Sequence, residues 1–315
     1  MNRRLLLLCI LLLLLCIGFV FYGAEGDWHY ILSKRFLRLG AIAVAACCVA
    51  CSAIIFQSLV GHRILTPAVM GYEAVYLLWQ SLLLYVLGSA GLTLLGSLGQ
   101  FVLGALLMLL YSLLLQRTVL ARAQTDVYQL LLLGLVLSMV MLTISQFIQL
   151  KISPGEFTVF QGLSYASFNR VRPDTLLIST TVLLVILYFI RSGCAVLDVM
   201  ALGREQALSL GVNHQGYLRF YMALLAVLVA ISTSLIGPVA FMGIFIANIA
   251  YALAQRHRHA LTLAFGCVVA MVIFLTAQLL VEHLFNYKTT VSILINLLCG
   301  IYFLGLMLYR RGSIT

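Results

Sequence analysis

Charge is what this sequence has least of. Only 9% of its 315 residues are Asp, Glu, Lys or Arg, and just nine are acidic. A soluble domain needs a charged surface, usually about a quarter of its residues. With 63% hydrophobic residues and a mean hydropathy of +1.12, the polar breaks are too small to fold alone. Proline is scarce as well. Pro67, Pro154, Pro173 and Pro238 all fall at the ends of apolar stretches, where a missing N–H costs little. No G-x-x-x-x-G-K-[ST] occurs, so no P-loop of its own binds ATP. A cluster of His, Asp, Glu or Ser at one depth, which an intramembrane enzyme would need, is also missing from the pattern.

What remains is one pattern repeated ten times, a long apolar stretch followed by a short polar break. The stretches run near 5–22, 36–59, 65–87, 91–115, 127–150, 174–190, 217–236, 239–254, 260–281 and 289–309. About twenty apolar residues cross a bilayer as a helix. Inside lipid every backbone N–H and C=O must be satisfied within the chain, which leaves helices and closed barrels. These stretches are continuous and Leu-rich rather than short and alternating, which excludes a barrel. The expected fold is therefore all-α, a polytopic membrane protein of about ten transmembrane helices in one domain over 1–315. Thr66 before Pro67 fits an N-cap followed by a first-turn proline. The first stretch follows Arg3 and Arg4 as a signal peptide would. Its apolar core is too long for one, no A-x-A site follows, and Leu14-Leu15 before Cys16 match a lipoprotein site poorly. It is expected to stay as a helix.

The net charge of +10 is spread over the loops rather than gathered on one face, which argues against a nucleic-acid partner. Twelve of the 19 basic residues, among them Arg3, Arg4, Arg63, Arg122, Arg204, Arg256 and Arg258, fall on the side of the N-terminus. Seven, including Lys34, Arg35, Arg38, Arg170 and Arg172, fall on the other. The richer side is expected to be cytoplasmic, and an even span number puts both termini there. The eight cysteines lie in apolar stretches or at their edges. Cys48-x-x-Cys51 has no acidic neighbour or second pair, so these are read as packing residues.

Two connections are long. Residues 151–173 are amphipathic and aromatic and predict a short helix on the outer face. Residues 191–216 predict two short inner helices, Val196 to Leu202 and Arg204 to Leu210, interrupted by Gly203 and closed by Gly211. Glu205 and Gln206 suit the positive end of the second, and Leu202, Ala207, Leu208 and Leu210 give an apolar side. Such a pair could be an interfacial connector, or the plug by which a permease engages a motor subunit.

The stretch Ala201-Leu-Gly-Arg-Glu-Gln-Ala-Leu-Ser-Leu-Gly-Val212 closely resembles the coupling segment of FecCD-type permeases, the ABC importers of ferric siderophores and cobalamin. Three further matches follow the family's order: Arg35-Phe-Leu-Arg38 leading to Phe56-Gln-Ser-Leu59, Thr66-Pro-Ala-Val-Met-Gly71, and Gly237-Pro-Val-Ala-Phe-Met-Gly243. The chain departs from the family at Gly61 to Leu65, at Ala247-Asn248 and at Glu282, where an arginine is often found.

The resemblance implies ten spans with an inverted repeat. It also implies a second permease, identical or paralogous, a cytoplasmic ABC ATPase dimer that uses the ATP, and a periplasmic or lipid-anchored siderophore-binding protein. It assigns ATPase coupling to Leu202, Gly203, Arg204, Glu205, Ala207, Leu210 and Gly211 within segment 196–212. It assigns docking of the binding protein to Arg35 and Arg38. The Gly71-Tyr-Glu-Ala-Val-Tyr76 run looks closer to the siderophore branch than to the cobalamin branch.

Within the spans, Glu73 is a costly intramembrane carboxylate that could serve transport or pair with Arg63. Gln57, Ser58, Gln146, Gln149, Gln278 and Asn296 could line a wet cavity or bond between helices. Gln57 and Glu73 are the candidates for a translocation path. The run Arg256-His-Arg-His259 reads as an inner-side anchor, not a metal site, and no cofactor is expected on this chain. The function expected is that of a permease subunit moving an iron–siderophore complex across the bacterial inner membrane, with no covalent chemistry. Cobalamin or haem import by the same machinery is the alternative, and a proton-coupled carrier using Glu73 a further one.

Orientation is testable directly. A single cysteine at position 170 in a cysteine-depleted background is expected to react with an impermeant reagent from the outer side. Labelling from the cytoplasmic side alone would invert the topology.

Overall fold

The computed structural model describes residues 3–21, 28–62, 65–120, 127–239, 241–254 and 258–311. Arg63, Arg122, Arg256 and His257 lie outside the described residues. Among those described, every regular element is helical: α1 (Arg3–Phe21), α2 (Trp28–Val60), α3 (Tyr72–Leu120), α4 (Val127–Gln149), α5 (Pro154–Ser164), α6 (Pro173–Met200), α7 (Arg204–Ser209), α8 (His214–Ile236), α9 (Met242–Ala254), α10 (His259–Leu279) and α11 (Val291–Arg311). Each of the ten apolar stretches falls on one of these helices. Seven of the described helices are long and apolar enough to cross a membrane.

Helices α2 and α8 form the centre of the bundle. Most of each is buried, while α1, α4 and α6 show mainly apolar side chains to the outside. The centre closes because its helices carry small residues, which let backbones approach where lipid supplies no hydrophobic drive. A Cβ on Gly243 of α9 would lie 2.9 Å from Ala53 Cβ of α2, and Gly266 of α10 sits against Ile54 and Ala50. Cys48 and Cys51 are buried on α2, and Cys51 Sγ lies 3.8 Å from Cys267 Sγ of α10.

The break expected after the third stretch is present inside α3: Gly88 (φ 61°, ψ −163°) and, further on, Gly96 (φ 61°, ψ 177°) leave helical geometry at a positive φ that only glycine adopts freely, so the stretches 65–87 and 91–115 are distinct helical segments joined across these kinks. Two elements differ from the sequence expectation. The expected helix at 196–202 is not separate. α6 runs unbroken from Pro173 to Met200, because nothing between Arg191 and Met200 stops it. At 1.5 Å per residue it is about 42 Å long, more than the roughly 30 Å of bilayer hydrocarbon, so it has length to tilt within the bilayer or to extend past it. Finally, among the described residues the eighth stretch is helical over Met242–Ala254, thirteen residues and about 20 Å, less than the roughly twenty residues a span needs. Thr66 stands at the N-cap position of a turn led by Pro67 but makes no side-chain cap bond, and the turn is a 3₁₀ helix over Pro67–Met70, tied by Tyr111 Oη donating to Met70 O at 2.7 Å.

The outer-loop helix expected within 151–173 is α5. Its capping box is complete: Ser153 accepts from Glu156 N, and the Glu156 carboxylate accepts from Ser153 N.

Candidate functional site

The C-terminal end of α6 leads into the segment singled out by the sequence. Ala201 caps α6, and Gly203 (φ 104°, ψ 164°) turns the chain and serves as N-cap of α7. The end of α7 is a Schellman motif: Val212 N donates to Ala207 O at 3.0 Å and Gly211 N to Leu208 O at 3.0 Å, with Gly211 left-handed (φ 79°). Ala207 is fully buried and anchors the short helix to the bundle. Leu202, Leu208 and Leu210 are each more than half exposed, with Arg204, Glu205 and Gly211 also at the surface. The result is a short, glycine-bounded helix with an open leucine face at the surface. Nothing about it offers covalent chemistry.

After α8, residues 237–239 are not helical. Gly237 (φ 101°) ends α8, and a Cβ there would lie 3.0 Å from Tyr165 O. Val239 follows, and its N–H is met by Glu73 Oε1 at 3.0 Å. Glu73 thus satisfies a backbone donor that lipid would leave unpaired. It lines a recess with Thr66, Pro67, Thr233, Val239 and Gly243, so the two motifs 66–71 and 237–243 come together there. The pairing with Arg63 falls outside the described residues. Gln57 is 2% exposed, and neither polar atom of its amide has a hydrogen-bond partner among the described residues.

At the opposite end of α2 from the coupling segment lie Arg35 and Arg38. Their three-residue spacing puts both on the face that meets Glu282, in a π-helical turn over Leu280–Leu284. Arg35 Nη2 is 3.7 Å and Arg38 Nη1 3.5 Å from the Glu282 carboxylate. Arg35 is only 6% exposed, and its Nη1 donates to Phe19 O at 3.0 Å and Val20 O at 2.9 Å. It caps the carbonyl end of α1, so its charge is engaged inside the chain. The docking expectation therefore passes to Arg38, which is partly exposed and also reaches Tyr287 Oη at 3.2 Å. The departure at Glu282 is thereby explained within this chain: the carboxylate bridges two arginines.

Residues 5–310 match the FecCD transport family. The chain belongs to that family. It is 32% identical over 312 residues to the petrobactin import system permease protein YclO of Bacillus subtilis (strain 168), covering 99% of both chains. It is 28% identical over 282 residues to the petrobactin import system permease protein FatC of Bacillus anthracis, covering 90% of this chain and 80% of that one. Its fold is similar, with a TM-score of 0.85 over 98% of this chain and 99% of the other, to a solved chain described as an inward-facing conformation of a metal-chelate type ABC transporter. Sequence identity there is 18%.

This FecCD-family chain also holds a polar cluster that hydropathy did not reveal. Asp198 near the end of α6, His259 at the start of α10, Ser58 near the end of α2 and Tyr251 on α9 converge beside the coupling segment. Helix periodicity within one element could not find it, because each residue comes from a different helix. The usable signal was the position of all four in the first or last turn of an element.

Glu73 gives a test of this reading. Glu73→Ala leaves the Val239 N–H unpaired and is expected to cost about 1–3 kcal/mol. That corresponds to roughly 2–4 °C in the melting midpoint of the detergent-solubilised chain, with Glu73→Gln close to wild type because an acceptor oxygen remains. A Glu73→Ala variant that melts like wild type would remove Glu73 as the support of the α8–α9 connection.

Proposed function

We propose that this chain is the permease subunit of an ABC importer carrying an iron–siderophore complex across the inner membrane, with both termini in the cytoplasm. The observation that carries the reading is the open leucine face of Leu202, Leu208 and Leu210 on a glycine-bounded short helix at the end of a long span. Similarity to two petrobactin permeases, one over 99% of both chains, supports a siderophore as cargo over cobalamin or haem. Segment 198–211 would dock into a cytoplasmic ATPase, and a second permease, identical or paralogous, would complete the path. ATP-driven closure of the motor pair would then shift the permeases between outward and inward states. The engagement of Glu73 with Val239 N removes the motive for a proton-coupled carrier. Of the two path candidates, Gln57 keeps an uncommitted amide to offer a passing polar group.

Gly203 tests the coupling role. A Cβ at Gly203 would meet nothing within 4 Å, so a side chain there acts through backbone strain alone. A β-branched residue at φ 104° costs about 1–3 kcal/mol and is expected to misplace α7. Gly203→Val should abolish vanadate-sensitive uptake of ferric petrobactin while leaving insertion intact. Normal ATPase binding and normal uptake in this variant would take the segment out of the mechanism.

Arg38 tests the other face. An exposed charge steers association and is screened over about 8 Å at physiological ionic strength. Arg38→Glu is expected to weaken capture of the binding protein at low salt, and reversal of the matching acidic residue on that protein to restore part of it. Equal affinity for wild type and variant at low and high salt would confine Arg38 to its pairing with Glu282.

A further inference from the structure

The cluster beside the coupling segment joins four helix ends through three side chains and one phenol. Asp198 Oδ1 accepts from the His259 backbone N at 2.8 Å and lies 2.5 Å from His259 Nδ1. The other ring nitrogen, Nε2, is 2.7 Å from Ser58 Oγ. Ser58 Oγ is 2.8 Å from Ile54 O and 3.3 Å from Tyr251 Oη. The order Asp–His–Ser is that of a hydrolytic triad. Ser58, however, sits in the last turn of α2 with its hydroxyl turned back to its own helix, the usual bond of a serine inside a helix. The connectivity serves another end.

The spacing along the chain shows what that end is. Asp198 stands five residues before Gly203, on the same unbroken helix that delivers the coupling segment. Its carboxylate does the work of an N-cap for α10, since Arg258 at the N-cap position offers no side-chain bond. A carboxylate at the positive end of a helix is favoured by both charge and hydrogen bonding. Any displacement of the α6 end therefore pulls on the first turn of α10. Through the imidazole it pulls also on the last turn of α2, the buried centre of the bundle. His259 is buried and Asp198 is about a third exposed, so the relay runs from the surface of the coupling segment inward.

We propose that Asp198 and His259 are positioning residues of transport, linking movement of the coupling segment to α2 and α10 by way of Ser58. The inference rests on the reading of residues 198–211 as the ATPase-docking segment. Such a link is a coupling between two sites, and couplings of this kind change the linked quantity by about 5-fold to 150-fold.

The test uses the assembled complex in proteoliposomes with its binding protein and ferric petrobactin as the probe. Three quantities are read: ATPase retained with the permease, ATP hydrolysed, and petrobactin taken up. His259→Ala, outside segment 198–211, is expected to retain the ATPase and hydrolyse ATP as wild type does, while Asp198→Ala, within it, is read per ATPase retained and per ATP hydrolysed. Their uptake per ATP should fall about fivefold or more. Asp198→Asn keeps an acceptor oxygen for the His259 N–H and guards against simple misfolding; it should recover most of the ratio. Ser58→Ala, which cuts only the last link, should fall between. An unchanged ratio in both alanine variants overturns the inference, and so does a loss of uptake that only follows the loss of assembled complex. If the wild-type chain retains no ATPase at all, the underlying reading fails, and the inference with it.

Discussion

The need to satisfy every backbone N–H and C=O without water governs this molecule. Most groups are met inside helices, and the exceptions are met by the few polar side chains the sequence contains. Glu73 takes the Val239 N–H where the chain leaves helical form, and Arg35 takes two carbonyls at the end of α1. Asp198 takes the first N–H of α10, Ser292 Oγ that of Ala166 at 2.7 Å, and Tyr221 Oη donates to Gly193 O at 2.7 Å. In a chain with nine acidic residues, four (Glu73, Glu156, Asp198 and Glu282) are found at such junctions or between arginines. Scarcity of charge and the placing of charge are one constraint.

Packing supplies the second layer. With lipid outside and hydrocarbon inside, helices associate by close contact rather than by exclusion from water. Small residues on α2, opposed by Gly243 and Gly266, allow that contact and make α2 the element against which α6, α8, α9 and α10 all rest. A movement entering α2 at its Ser58 end is thus presented to most of the bundle. The same helix carries Arg35 and Arg38 at its other end, so both faces of the membrane are joined through one rigid element.

The exposed features divide by chemistry. Large apolar side chains on α1, α4 and α6 face outward as a lipid-immersed protein requires, and they single out nothing. The leucines of the α6–α7 turn differ, because they lie beyond the C-terminal end of α6 and next to charged residues. Exposed apolar surface rimmed by polar groups is the kind that meets another protein or the membrane surface, and the docking reading takes the first of these.

The sequence by itself determined the helical class, the ten apolar stretches, the glycine-bounded coupling segment and the family, because hydropathy, helix-end chemistry and short motifs are local properties. It also located α5 and the left-handed glycines at 203 and 211. What it could not supply was partnership across helices. Arg35, expected to dock a binding protein, caps α1, and Glu73, read as a path residue or an ion-pair partner, accepts from the Val239 N–H. Ser58, His259 and Asp198 looked unrelated until three helix ends met. Continuity was in part beyond it: α6 runs on where a break was expected, and α9 is helical over only thirteen of the described residues. Each of these outcomes depends on which backbone group stands unpaired at a given depth, and only the packed bundle decides that.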